Sequence, residues 1–377
     1  MDSDRRGNIV SQAGNGSRVG PGATMAEVAA RAGVTKMTVS RVLRHPEKVT
    51  PLTRQRVTEA IAALAYVPNR LAGGLTSGAS GLVAAIVPTL RHSLFADTLE
   101  GVSDVIAAAG LGLIVSSSGY KTDVEESQVR SILERRPDAL VLTGLTHTAD
   151  TRTLLRGFGL PVVETWETGD EPIDMVVGYS NRAAAAAMTT ELVRAGYRRI
   201  LFVNGPSRNN ERARHRAEGY RAAMRQAGLD PLPVQVVRDE AAIRLETGAR
   251  VLRAVHAEQP EVDALFFTSD VFAVGAVLES RKLGIKVPEA LGVAGFHDLE
   301  IGRVVSPSLT TVQIPALEIG RKAGALLLDR LAGRAVAPSA YDLGFSIIAR
   351  DSTRRGATGN AEARGGAGGE RLAGATG

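Results

Sequence analysis

Residues 24–43 read Thr-Met-Ala-Glu-Val-Ala-Ala-Arg-Ala-Gly-Val-Thr-Lys-Met-Thr-Val-Ser-Arg-Val-Leu, and two short helices joined by a tight turn fit this stretch. Thr24 can cap the first helix, with Glu27 three residues on completing a capping box. Val28 and Ala29 then share one face, and Gly33 supplies the left-handed residue that lets the chain turn so soon after Ala32. Thr35 caps the second helix, which buries Val39, Val42 and Leu43 and leaves Lys36, Met37, Thr38, Ser40 and Arg41 facing outward. A third helix follows, with Thr50 as cap, Pro51 at the first helical position and Val57, Ile61 and Leu64 inward. The order of these elements is that of a helix-turn-helix unit.

Charge points to what such a unit binds. Between Thr24 and Ser80 there are eight Lys or Arg against three Glu, a surplus equal to the +5 of the whole chain. A concentrated basic patch suits a nucleic-acid duplex, because each neutralised phosphate releases a condensed counterion. A charged helix taken alone is more often a solvated face; here cap, glycine and helix length in the right order favour DNA. Lys36, Met37 and Arg41 are the expected base readers, since arginine pairs with guanine in the major groove and methionine can meet a thymine methyl. Thr24, Thr35, Thr38, Ser40, Arg44, Lys48 and Thr53 are expected to hold phosphates and fix register.

The run Gly33-Val34-Thr35-Lys36-Met37-Thr38-Val39-Ser40-Arg41 resembles the DNA-binding headpiece of the lactose repressor family, in particular its gluconate-utilisation repressor branch. The resemblance is specific in the headpiece and looser to about residue 353. It implies a hinge over residues 68–79, where Asn69 would join the DNA contacts and Leu75 would enter the minor groove as a wedge that unstacks base steps. Gly73 and Gly74 depart from that pattern, each costing a helix about 1 kcal/mol relative to alanine. A plain flexible linker is the other reading of the stretch. As a wedge, Leu75 changed to Ser should weaken specific binding more than non-specific binding.

Residues 1–22 and 354–377 lack apolar periodicity and are expected to be a disordered arm and tail. They leave a DNA-binding domain at 23–67 and an effector-binding and dimerisation domain of two lobes at 80–353. No window approaches the roughly 18 apolar residues of a membrane span, and no secretion signal is evident, so no membrane partner and a cytoplasmic location are expected. The chain has no cysteine, which excludes disulfides and thiolate chemistry, and its six histidines lack metal-site spacing. No metal and no cofactor are expected.

From Leu82 onward apolar runs alternate with helical periods. Leu82 to Val87, Leu111 to Ser116, Ala139 to Thr143 and Val162 to Thr165 are the expected strands of a first half; Ile200 to Asn204, Val234 to Val237, Ala264 to Thr268 and Leu291 to Phe296 are those of a second. The expected fold class is therefore α/β: an all-α helix-turn-helix headpiece followed by two parallel sheets wrapped by helices. The resemblance implies a periplasmic-binding-protein-like body in which the chain crosses between lobes three times, near Asn181, Ile314 and Tyr341. A nucleotide loop does not follow the first strand, because Val87 leads into Pro88, Thr89 and Leu90. A Rossmann-type enzyme is not expected.

Ligands of such sheets gather beyond the carboxyl ends of the strands. Thr146, His147 and Thr148, then Ser269 and Asp270, then His297 follow strand ends, with Arg212, Arg214 and Arg216 early in a helix and Phe95 opening the first helix of the body. By resemblance, Arg216 before Gly219 and Tyr220 reaches ligand oxygens, and a guanidinium suits a carboxylate or vicinal hydroxyls. His297 stands where many relatives carry an acidic residue, Ser269 where they usually have asparagine, and Ile314 where some use a polar residue. Losing a carboxylate there favours an anionic ligand. Phe95, His147, Arg212, Arg216, Ser269 and His297 are the expected effector residues; Asp270 is expected instead to cap the helix beginning at Val271. A structural filler is the plainer reading of His297, and a core position that of Phe95.

The whole reads as a dimeric, ligand-regulated repressor of sugar-acid catabolism that releases a near-palindromic operator when gluconate or a relative binds. A repressor tuned to a neutral sugar or nucleobase would keep the headpiece and lose Arg212 and His297 as contacts. A solute-binding receptor would share the body and have no use for Lys36 or Arg41.

Overall fold

The computed structural model describes residues 23–67, 80–90, 95–169, 171–205, 209–237 and 244–355. They fall into two compact units that part at residue 78. The expected arm, the hinge with Asn69 and Leu75, and residues 356–377 lie outside the described residues.

The first unit holds α1 (Met25–Ala32), α2 (Lys36–Arg44) and α3 (Pro51–Ala63). Local chemistry sets each boundary. The Thr24 hydroxyl accepts from the Glu27 amide while the Glu27 carboxylate accepts from the Thr24 amide, the reciprocal capping box. Gly33 ends α1 at φ 65°, where a Cβ would be strained. Thr35 and Thr50 cap α2 and α3 through the Thr38 and Thr53 amides. Val28, Val39 and Val57 are fully shielded, a gain of about 1.5–3 kcal/mol each over exposure. Ile61, Leu64 and Leu43 pack more loosely around them.

The second unit contains two six-stranded sheets. The strands of the first are β1 (Leu82–Val87), β2 (Gly112–Ser117), β3 (Ala139–Thr143), β4 (Val162–Thr165), β5 (Met175–Gly178) and β11 (Ala340–Asp342), in the order β11-β5-β4-β3-β1-β2. Those of the second are β6 (Ile200–Asn204), β7 (Gln235–Val236), β8 (Ala264–Phe267), β9 (Gly292–His297), β10 (Thr310–Gln313) and β12 (Ser346–Ile348), in the order β12-β10-β9-β8-β6-β7. Every pair is parallel except β10 with β12. Strands such as β3, β4, β6 and β8 are buried along their whole length, as expected for sheets covered on both faces.

The chain passes from the first sheet to the second between β5 and β6, and returns after β10. It crosses again between β11 and β12. Asn181, Ile314 and Tyr341 stand at or beside these passages, as the resemblance implies. The helices are α4 (Ala96–Ala107), α5 (Thr122–Glu134), α6 (Ala149–Phe158), α7 (Asn181–Arg194), α8 (Glu211–Gln226), α9 (Leu245–Glu258), α10 (Asp270–Lys282), α11 (Glu300–Val304) and α12 (Ala316–Leu331). After the second crossing α12 packs on α4 of the first lobe, and α7 packs on α8 of the second.

The expected strands are present with ends displaced by a residue or so, such as β2 beginning at Gly112 rather than Leu111. Four others, β5, β10, β11 and β12, were not foreseen. They span three or four residues, and β10 and β11 are largely polar or mixed, so no apolar alternation marks them. The body also runs to Arg355, whose guanidinium lies 4.0 Å from the Tyr197 ring centre, two residues beyond the boundary expected at 353.

Candidate functional site

In the headpiece unit, spacings of three and four along α2 place Lys36, Met37, Ser40, Arg41 and Arg44 away from Val39 and Val42. Met37 is 71% exposed, a large apolar side chain held in water beside exposed Lys36 and Arg41. Arg44 and Lys48 lie exposed beyond them, Lys48 in a short turn after His45. Thr38 and Thr53 exchange hydroxyl hydrogen bonds with the caps Thr35 and Thr50, at 3.0 and 2.9 Å. Thr24 and Thr35 are themselves caps, so their hydroxyls already serve the helix ends.

In the body, a second constellation forms between the lobes. Arg212 and Arg216, one turn apart on α8, are both buried. The Arg216 guanidinium lies 4.8 Å from the Phe296 ring centre, and that of Arg212 lies 6.0 Å from Phe95. Phe95 meets Trp166 edge-on at 4.8 Å; Trp166 in turn lies 6.3 Å from Tyr179 and 5.8 Å from His297. First-lobe Phe95, Trp166 and Tyr179 thus face second-lobe Arg212, Arg216, Phe296 and His297. Trp166 and His297 also hold positive φ, 72° and 106°, just where β4 and β9 end. Backbone held in that region by side chains other than glycine collects at functional sites.

Three buried nitrogens here have no hydrogen-bond partner among the described residues: Arg212 Nη1, Arg216 Nε and His297 Nδ1. Orphaned buried donors cost about 1–3 kcal/mol each, which is the reason native interiors rarely keep them. Arg216 Nη1 lies 3.4 Å from His297 Nε2. A guanidinium only donates, so Nε2 accepts and the neutral ring carries its proton on Nδ1. Burial, then the Arg216 charge, push His297 well below the usual histidine range, with the Phe296 carbonyl opposing and Arg212 adding to the push. Burial likewise lowers Arg216 and raises the Tyr179 hydroxyl to about 12. The cluster therefore offers donors and positive charge beside aromatic faces, the chemistry that holds a carboxylate on an apolar-faced carbon chain.

Around it runs an acidic frame. Glu167, buried next to Trp166, accepts from Asn181 Nδ2 at 3.2 Å and pairs with His215 Nδ1 at 2.9 Å. Asn181 also donates to the Trp166 carbonyl at 2.8 Å and accepts from Tyr179 at 3.1 Å. Glu211 accepts from the Leu145 amide at 2.8 Å.

Phe95, Arg212, Arg216 and His297 come together as the sequence implied; the contacts found for His147 and Ser269 among the described residues lie elsewhere. The side chain of His147 is buried in the first lobe, its Nδ1 2.5 Å from Glu125 and its Nε2 3.1 Å from Glu164 and from the Gly144 carbonyl. Both nitrogens are occupied. Ser269 is the cap of α10, its hydroxyl accepting from Val271. This corrects the role expected of Asp270, which turns into the core to accept from Thr311 at 2.6 Å and Leu299 at 2.7 Å. Ile314 is buried at its crossing. Sequence reasoning missed Trp166, Glu167 and Tyr179. One signal was available: Trp166 is the lone tryptophan and follows the last residue of an expected strand. Among the described residues no group of three His, Asp or Glu side chains is arranged to hold a metal ion, and no helix is long and apolar enough to cross a membrane.

Fold and site together define a DNA-binding transcriptional regulator with a ligand-binding body. The family model for bacterial regulatory proteins of the lacI family matches residues 24–69, and that for the periplasmic binding protein-like domain matches residues 189–353. The chain is 37% identical over 321 residues to the HTH-type transcriptional regulator GntR of Escherichia coli K12, covering 85% of this chain and 96% of that one. A LacI-family transcriptional regulator from Silicibacter pomeroyi superposes with a TM-score of 0.83 at 33% identity, over 88% of this chain and all of that one. The transcription regulator GntR from Chromobacterium violaceum does so with 0.66 at 36%, over 73% of this chain and all of that one. The chain belongs to the LacI family.

Proposed function

We propose that this regulator is a repressor of sugar-acid catabolism, working in the cytoplasm, which binds a near-palindromic operator as a dimer and releases it when gluconate or a close relative enters the body. The observation that carries the ligand class is the convergence of Arg212 Nη1, Arg216 Nε and His297 Nδ1, three buried donors with no partner among the described residues. A carboxylate supplies the acceptors that they lack, and Phe95 and Trp166 suit the apolar face of the carbon chain. The resemblance to the gluconate-utilisation branch and the likeness to two regulators named GntR support the same reading.

On the DNA side, Lys36, Met37 and Arg41 read bases in the major groove while Thr24, Thr35, Thr38, Ser40, Arg44, Lys48 and Thr53 hold phosphates. Asn69 and Leu75 add hinge contacts. Two headpieces related by a twofold require half-sites about one helical turn apart. The ligand acts through its differential affinity for the two states of the body. Titrating gluconate, other sugar acids and neutral sugars against the protein on a labelled operator tests this. Release by a sugar acid and indifference to neutral sugars is the expected outcome; release by neutral sugars alone refutes the ligand class.

A further inference from the structure

The first turns of α8 carry two pairs of residues with spacing i, i+4, and the pairs do different things. Arg212 and Arg216 belong to the cluster with Phe95, Phe296 and His297. Glu211 and His215 instead reach out of the second lobe into the first. The Glu211 carboxylate, buried, accepts from the Leu145 amide at 2.8 Å and from the Thr146 hydroxyl, both in the loop after β3. His215 Nδ1 meets Glu167 at 2.9 Å, just after β4 and next to Trp166. Both contacts tie lobe to lobe at the segment that positions the arginines.

We propose that Glu211 and His215 are positioning residues, a cross-lobe clasp that closes the body around its effector while Arg212 and Arg216 hold the ligand on the neighbouring face of the same helix. The location of the effector at those arginines rests on the function proposed above; the clasp itself does not. Because the contacts exist only when the loops after β3 and β4 lie against α8, opening the lobes must break them, and anything gripping Arg212 and Arg216 together with Trp166 must form them. Ligand affinity and lobe closure then become one equilibrium.

The absence of cysteine from the chain makes the test direct. Thr153→Cys on exposed α6 and Ala257→Cys on exposed α9 place one spin label on each lobe of the full-length protein. Without any small molecule, Glu211→Ala and His215→Ala should each broaden and lengthen the label-to-label distance distribution. Glu211→Gln, whose amide oxygen still accepts from Leu145, should keep the parental distances. In a second arm, calorimetric titration with potassium gluconate should give affinities weakened about tenfold by either alanine, with Glu211→Gln near the parent. Unchanged distances in both alanine variants overturn the clasp, as does a Glu211→Gln variant as open as Glu211→Ala. If the parent protein ignores gluconate, the effector assignment falls while the distance arm still decides the clasp.

Discussion

Arg216 Nη1 and His297 Nε2 lie 3.4 Å apart, a cation from α8 donating toward an imidazole at the end of β9. Burial first, and then this contact, keep His297 neutral, and its remaining N–H points elsewhere. Under the function proposed above, His297 is the position at which the charge preference for the effector is set.

A carboxylate at that position would pair with Arg216 internally and oppose an incoming anion. His297→Asp should therefore weaken gluconate binding about 100-fold, on the order of 3 kcal/mol, while the neutral His297→Gln loses about tenfold. Calorimetric titration of the two variants checks it; equal losses would show that charge at this site does not discriminate.

On the headpiece, Arg41 and Lys48 should fail in different ways. Arg41→Ala should cost about 1–3 kcal/mol on the preferred operator and relax the base preference at one position. Lys48→Ala should weaken all duplexes alike and lower the salt slope by about one. Binding curves at several salt concentrations, on selected and scrambled duplexes, separate the two.

His147 supplies the pH dependence. Burial works against its charge, but hydrogen bonds and attraction from Glu125 and Glu164 prevail, raising it to about 9. A folded-state value above the ordinary 6.5 means that the fold favours the protonated ring, so its stabilisation is full below about pH 6.5 and is lost as pH rises through about 9. The thermal midpoint of the protein relative to His147→Gln should fall between about pH 6 and about pH 9.5. A constant difference across that range would rule out a charged triad.

Gly219 lies where α8 crosses α7. A Cβ there would sit 2.1 Å from the Arg182 carbonyl oxygen and 3.1 Å from the Ala186 amide, both backbone atoms that can yield only if the helices part. Gly219→Ala should destabilise the body by about 1–3 kcal/mol. Differential scanning calorimetry should register this as a lower midpoint, by roughly 2–4 °C for each kcal/mol.

Much of the fold was legible because its signals are local. Thr24 with Glu27, Gly33, Thr35 and Thr50 act on backbone groups within four residues, and apolar runs such as Ala139–Thr143 announce strands buried on both faces. The strands β10, β11 and β12 carry no such mark; their pairing depends on partners far along the chain. Asp270 and Ser269 show the limit at a single helix start. Either side chain could cap it, and the choice fell to Thr311, forty-one residues away, which engages Asp270.

The amino-acid order alone determined that there is a helix-turn-helix headpiece, that its outward face is basic, and that an alternating α/β body follows, since capping, periodicity and charge need no distant partner. Tertiary structure decided which strand-end residues share a pocket: it gathered Trp166 and Tyr179 around Arg216 and His297, and sent His147 into an internal triad with Glu125 and Glu164. The fate of a side chain at a strand end depends on which segments fold against it, and those segments lie tens of residues away.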